Sequence, residues 1–409
     1  MIRRALLLLV LACGSKSPLE VGGPSRRARL DAAGLDAARV RDSGTDSRVP
    51  RDTLPPLPDS DFRIDAGDSG CRPQTENVDL LLMVDGSGSM RDEQMVLAQE
   101  LPRLVGALLS GDVDFGTPME GTADFPPVRS LNVGLVSADL ATGVRGGFCT
   151  RPHGQDAVIG GGAPLFLNFE SPAAARDFDR QFIDLAARMG SCPIEQSAEA
   201  VLKSLVPSDC REGFCEFMDG SRGQGDGPNA GFLRDDSLLA VVVLTDEDDC
   251  SAENPSLFAA IDPERPTEFT RVTLNLRCTT FPEALTPVAR YTEGLSFLRP
   301  DPRQLVYALV AGFPPGFGSL DGVVDYNAVL ASPDMEIRPD DFSTSRVAPA
   351  CEGEGGPATP ARRLLGIAQG LEARGTPTVA QSICESRYDG LINGLTLRIA
   401  ERALETCEL

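Results

Sequence analysis

Two stretches of the chain are apolar for the length of a strand and then stop abruptly in polar residues. Val78 to Val84 runs into Asp-Gly-Ser-Gly-Ser, and Leu238 to Leu244 ends in Thr-Asp-Glu-Asp-Asp. Continuous apolar runs of this length, bounded by turn residues, predict strands buried on both faces of a parallel sheet. Similar runs over Ser130–Leu140, Gln304–Gly312 and Thr376–Cys384 predict further strands. Between them the spacing changes. Leu97, Leu101, Leu104 and Leu108 recur at helical intervals within Arg91–Leu109, a helix that Pro102 is expected to kink. Ser171–Arg188 and Glu195–Leu205 predict two more helices. A last helix is predicted from about Ser386, with Asp389 completing a capping box and Tyr388, Leu391, Ile392, Leu395 and Ile399 on one stripe. Strands alternating with helices predict an α/β fold with a mostly parallel central sheet flanked by helices.

Long Gly/Pro-rich connections interrupt this pattern at about residues 111–128, 141–168, 207–234, 250–283 and 313–358. Loops beyond about 12 to 15 residues are commonly functional or tied down, and four of these contain or border cysteines. The chain has 11 cysteines. Setting Cys13 aside leaves an even set: Cys71, Cys149, Cys192, Cys210, Cys215, Cys250, Cys278, Cys351, Cys384 and Cys407. In an exported protein such a set reads as disulfides. Cys210 with Cys215 and Cys250 with Cys278 are the expected local pairs, and Cys71 with Cys407 would staple the ends of the domain. The absence of a CxxC pair argues against a zinc ribbon or a thioredoxin-like redox site.

Export is read from the first residues. Arg3 and Arg4 form a charged start, and Ala5 to Ala12 an apolar core far shorter than the roughly 20 residues that span a bilayer. The ending Val10-Leu11-Ala12-Cys13 resembles the bacterial lipobox, which implies a signal peptide over residues 1–12, acylation of Cys13 (palmitate among the chains) and a lipoprotein of the outer membrane, since no aspartate follows the cysteine. Residues 13–70 are rich in Asp, Arg, Pro, Ser and Gly; they bury too little surface to offset chain entropy and read as a disordered linker. Residues 71–409 are then the folded domain.

Charge and composition narrow the functional classes. A formal net charge of −22 disfavours nucleic acid and anionic lipid and favours cations or basic partners. The single histidine, His153, has no visible partner, which sets aside most histidine-based hydrolysis and zinc chemistry.

The tail of the first apolar run can be tested against three chemistries. Gly86 and Gly88 lack the third glycine of a dinucleotide loop and the lysine of a P-loop, and Asp85 would repel phosphate. A hard cation fits better. Asp85, Ser87 and Ser89 present alternating oxygens, with glycines expected to permit the tight backbone path. Asp246, at the carboxyl end of another strand, belongs to the same edge of an open α/β sheet, where ligands bind. The remaining acids of the run, Glu247, Asp248 and Asp249, read as a solvated rim. Asp219–Asn229 lacks the spacing of an EF-hand and reads as a loop.

D-x-S-x-S after an apolar strand, with Thr-Asp closing a later one, resembles the von Willebrand factor type A (VWA) domain and its metal-ion-dependent adhesion site. The resemblance covers roughly residues 76–407. It implies that Asp85, Ser87 and Ser89 ligate a divalent cation, magnesium before manganese or calcium, with Asp246 acting through a water. An open coordination position would then accept a carboxylate from a protein or cell-surface partner. The family's threonine ligand has no counterpart here: Cys192 stands at its place, with Ser191 and Glu195 close by. Either Glu195 or Ser191 replaces it, or Glu195 is only a first-turn helix residue favoured by the dipole. Two other readings remain: a metal-dependent hydrolase in which Glu195, Asp246 and Asp248 activate water, and a structural envelope component in which the ion only stabilises the loop.

Overall fold

A computed structural model of the chain describes residues 76–404, apart from 116–120, 122, 141, 143–153, 162, 191, 193, 211–212, 219 and 342. The signal peptide, Cys13, the linker, Cys71, Cys149, His153, Ser191 and Cys407 lie outside the described residues. Among the described residues no helix is long and apolar enough to cross a membrane.

The two longest apolar runs are the adjacent central strands of a six-stranded sheet. In chain order its strands are β1 (Asn77–Val84), β2 (Ser130–Ser137), β3 (Phe166–Phe169), β4 (Ser237–Leu244), β5 (Leu305–Ala311) and, after four short hairpin strands, β10 (Thr378–Ser382). Their spatial order is β10-β5-β4-β1-β2-β3, parallel throughout except for β3. The chain leaves β1 toward β2 on one side and returns to β4 on the other, so the strand order reverses between β1 and β4. Registers are in step there: Val84 pairs with both Ser137 and Leu244, so Asp85 and Thr245 emerge together at the carboxyl edge.

Alternate residues of the strands feed two cores. Val78, Leu80, Leu82 and Val84 pack with helices α1 (Arg91–Ser110), α2 (Phe178–Ala186) and α8 (Asp389–Leu404). Leu81, Met83, Leu239, Val241 and Val243 pack on the other face with α3 (Ser197–Leu205), α5 (Val288–Leu298), α6 (Tyr326–Leu330) and α7 (Arg362–Glu372). Both faces of the sheet are covered, which is why these strands carry no alternation of polar residues. The exception is Asp79, fully buried inside β1. Its carboxylate accepts from Arg234 Nε at 2.8 Å and from the Arg234 backbone N–H at 2.7 Å, and Ser237 completes the set. A buried charge held this way is compensated rather than stranded.

Several boundaries differ from expectation. α1 runs as one helix through Pro102 and ends on Gly111, whose φ of 76° gives the left-handed turn that closes it. The predicted helix at Ser171–Arg188 forms only over α2. The capping box at Ser386 does not form: Ser386 is exposed, α8 starts at Asp389, and the Leu391 N–H is taken by Gln381 Oε1 at 2.8 Å. Asp389 pairs instead with Arg103 and Arg387. The stripe of α8 is as predicted, with Tyr388, Leu391, Ile392, Leu395 and Ile399 all in the core.

The long connections are not structureless. The one at 141–168 ends in β3, an antiparallel edge strand. The one at 250–283 contains α4 (Leu274–Thr280) and wraps a third, smaller core around Ile194, Leu257, Phe258 and Phe269. Buried Arg277 organises it by donating to the carbonyls of Leu257, Ala259 and Val272. The stretch 313–358 holds α6 and two hairpins, β6 (Pro339–Asp340) with β7 (Ser343–Val347) and β8 (Cys351–Gly353) with β9 (Gly356–Ala358). Cys210–Cys215 and Cys250–Cys278 are bonded as expected, and Cys351–Cys384 is a third pair. It ties the β8–β9 hairpin to the end of β10. Cys192 is also disulfide-bonded.

Candidate functional site

Asp85 leaves β1 with its N–H still on the ladder, donating to Leu244 O at 3.0 Å, so its side chain is fixed by the sheet. One carboxylate oxygen accepts from the Ser87 N–H at 2.7 Å, and the other from Thr245 Oγ1 at 3.0 Å. Gln94, one turn into α1, holds the Asp85 carbonyl at 2.6 Å. The Ser87 and Ser89 hydroxyls meet at 2.9 Å. On the neighbouring strand Asp246 is anchored by its backbone: its N–H points to Met90 Sδ at 3.2 Å and its carbonyl accepts from the Thr359 N–H at 2.8 Å. Asp246 also shares hydrogen bonds with Ser89 and Asp85. The predicted first ligand loop and Asp246 are thus brought together at the point where the strand order reverses, the usual ligand edge of such a sheet.

The glycines serve differently from expectation. Neither Gly86 nor Gly88 has a positive φ, and a Cβ on Gly88 would meet open space. The backbone path does not require glycine at Gly88; its lack of a side chain leaves the mouth of the site clear.

Glu195 precedes α3 and is buried, but its carboxyl is hydrogen-bonded to that of Glu247. The site therefore gathers four carboxyls, Asp85, Glu195, Asp246 and Glu247, with no arginine or lysine paired to any of them among the described residues. Burial pushes Asp85 up to about 7, and the charges of Asp246 and Glu247 add to this, while the Ser87 N–H and Thr245 hydroxyl oppose it. Burial raises Glu195 well above the usual carboxylate range, helped by Glu247 and Asp85. Asp246 and Glu247 are raised for the same first reason. Buried like charges resist joint ionisation, and burial pushes both members of the Glu195–Glu247 pair toward the protonated form.

The rest of the acidic run is not the solvated rim expected from the sequence. Asp249 is buried and caps α3, accepting from the Ala198 N–H at 2.9 Å while pairing with Arg363 at 3.0 Å. Asp248 caps α7, accepting from the backbone N–H groups of Arg363 and Leu364. Burial lifts it to about 6, against the pull of Arg363. Its oxygens are occupied by a helix terminus rather than turned toward Asp246.

The donor set fits a hard divalent cation. Asp246 Oδ1 is buried with no hydrogen-bond partner, Asp85 is held ready by backbone and hydroxyl, and two serine oxygens stand alongside. Among the described residues no group of three or more His, Cys, Asp or Glu side chains is placed to hold a metal ion, so a cation here would depend on two carboxylates supplemented by the serine hydroxyls. No alternative ligand comes from Cys192, which is in a disulfide. Sequence reasoning passed over Thr245, Thr359, Gln94 and the pairing of Glu247 with Glu195. Only Thr245, adjacent to Asp246 in a quoted motif, left a signal. Comparison with family models and with curated proteins finds no match for this chain.

Proposed function

We propose that the chain is a lipid-anchored protein of the cell envelope, attached to the outer membrane through Cys13. Its α/β domain, of the VWA kind, would bind a divalent cation and mediate adhesion or another protein–protein interaction. The observation that carries this reading is the convergence of Asp85, Ser87 and Ser89 with Asp246 at the carboxyl ends of adjacent strands, beside a buried carboxylate oxygen that lacks a donor. Asp85, Ser87 and Ser89 would hold the ion and Asp246 would support it. Magnesium leads, with manganese and calcium as alternatives. The bound ion supplies a Lewis-acidic point with a position that a partner's oxygen, such as a carboxylate, can fill. The chain's own part is to fix the oxygens before binding: the β1 ladder and Thr245 hold Asp85, and Met90 and Thr359 hold the Asp246 backbone. Glu195 can join the ion only by releasing Glu247, so it acts here through charge. This is a binding module without turnover.

Calorimetric titration of the chain with magnesium, manganese and calcium tests it. Binding of at least one ion is expected, with Ser87→Ala weakening it; absence of heat with all three would overturn the reading.

A further inference from the structure

A cleft of about 750 Å³ opens from the candidate site, within the size range of ligand-binding clefts. It is lined by Ser89 and Asp246, by α4, and by both the β6–β7 and β8–β9 hairpins. Its charge is lopsided: eight acidic side chains and three arginines face it. The arginines are already taken. Arg363 is held by Asp249 at 3.0 Å, Arg346 by Asp340 at 3.5 Å and Arg338 by Asp341 at 3.5 Å, while Asp248 caps α7. Glu195, Asp246, Glu247 and exposed Glu352 have no basic partner among the described residues. A divalent cation held by Asp85 and Asp246 would offset those two charges and leave Glu352 and the Glu195–Glu247 pair, whose carboxyls resist joint ionisation, without a basic partner.

The cleft shares a wall with the candidate ion site. Asp246, only 7% exposed, lines the cleft with an oxygen that no donor reaches. Alongside the acids, Ile194, Leu274 and Ile337 give the cleft apolar wall, the combination that suits a long aliphatic stem ending in a charge.

We propose that the cleft takes a basic segment of the partner, an extended stretch whose lysine or arginine side chains lie along the apolar wall and end among Glu195, Glu247 and Glu352. This rests on the reading of this edge as the binding face and names the partner's chemistry. A partner that offered only carboxylates would meet surplus negative charge beside the ion, whereas one that adds a base is drawn in. The chain's net charge of −22 acts in the same direction at longer range.

The test uses the full chain and arrayed, end-capped hexapeptides of three kinds: two lysines or arginines each, two glutamates each, or uncharged. The expected result is selection of the basic set, weakened about fivefold or more on raising the salt from about 0.1 to 0.5 M. Glu247→Gln should weaken it about tenfold and Glu352→Gln about threefold, as for a buried and a rim charge respectively. Glu352 is exposed on β8, so its variant keeps the fold even if the buried one does not. Selection of acidic or uncharged peptides, no binding to any set, or a basic preference untouched by Glu352→Gln overturns the proposal. Repeating the array in chelator separates it from the cation reading. Basic peptides that bind equally well without the ion support the cleft and count against the ion. Acidic peptides selected only with magnesium support the ion and overturn the cleft.

Discussion

Replacing Asp85 by asparagine should stabilise the ion-free protein at neutral pH while abolishing its response to divalent cations. Burial, with the charge of Asp246, pushes the Asp85 carboxyl up to about 7, against 3.8 for a free aspartate. A raised carboxyl favours the protonated form in the folded state. Its contribution is intact below pH about 4 and is lost as the pH rises toward 7, beyond which the loss is constant. At about 1.4 kcal/mol per unit, the full cost is about 4 kcal/mol, of which about 2 kcal/mol falls between pH 5.5 and 8. Ordinary carboxyls are ionised across that window and the chain has one histidine, so the change reports on the raised groups. Asparagine keeps an acceptor for the Ser87 N–H and carries no charge. Thermal unfolding in chelator should show the wild type losing several degrees between pH 5.5 and 8, with Asp85→Asn losing less, by the Asp85 share, and melting higher at pH 8. Magnesium at about a hundred times its Kd should restore about 2.7 kcal/mol to the wild type at pH 8 and nothing to the variant. A variant less stable than wild type at pH 8 in chelator, or one still stabilised by magnesium, would refute the reasoning.

Three further outcomes follow from other parts of the molecule. Asp248→Ala removes the acceptor at the start of α7 and should cost about 1 to 2 kcal/mol in urea unfolding; an unchanged midpoint would show that the cap contributes nothing. Asp79→Ala leaves the Arg234 guanidinium facing an emptied pocket inside the sheet and should cost about 3 to 5 kcal/mol, read by the same method. Cys13→Ser should move the protein from the membrane to the soluble fraction of an envelope preparation, and unchanged fractionation would rule out the lipid anchor.

How much of this was legible depended on whether a feature is local. β1 and β4 could be read to within a residue, because a strand covered on both faces must be apolar at every position but those with a private partner. Asp79 is such a position, and its partner Arg234 is 155 residues away. The edge strand β3 and the two hairpins were missed. They are short and partly exposed, so nothing in their sequence demands alternation. That Asp85, Ser87 and Ser89 would cluster was legible because they lie within five residues, and that Asp246 would join them because a strand delivers it to a predictable edge. Glu247, Asp248 and Asp249 were misread for the converse reason: Asp248 and Asp249 are set by the N-termini of α7 and α3 and Glu247 by Glu195, all from distant parts of the chain. The same holds for the capping of α8, where Gln381 takes the place that Ser386 was expected to fill.

The position of Asp85 also bears on how the molecule would carry load. β1 begins at Asn77, a few residues after the segment read as a linker, and ends at Val84, next to Asp85, where a partner would be held. A pull between membrane and partner therefore enters at one end of β1 and leaves at the other. Along that length β1 is bonded in parallel register to β2 on one side and β4 on the other. Force directed along a strand loads both ladders in shear, so their hydrogen bonds must yield together rather than open one after another. If the chain is tethered and holds a partner as proposed, its own central strand would brace it under traction.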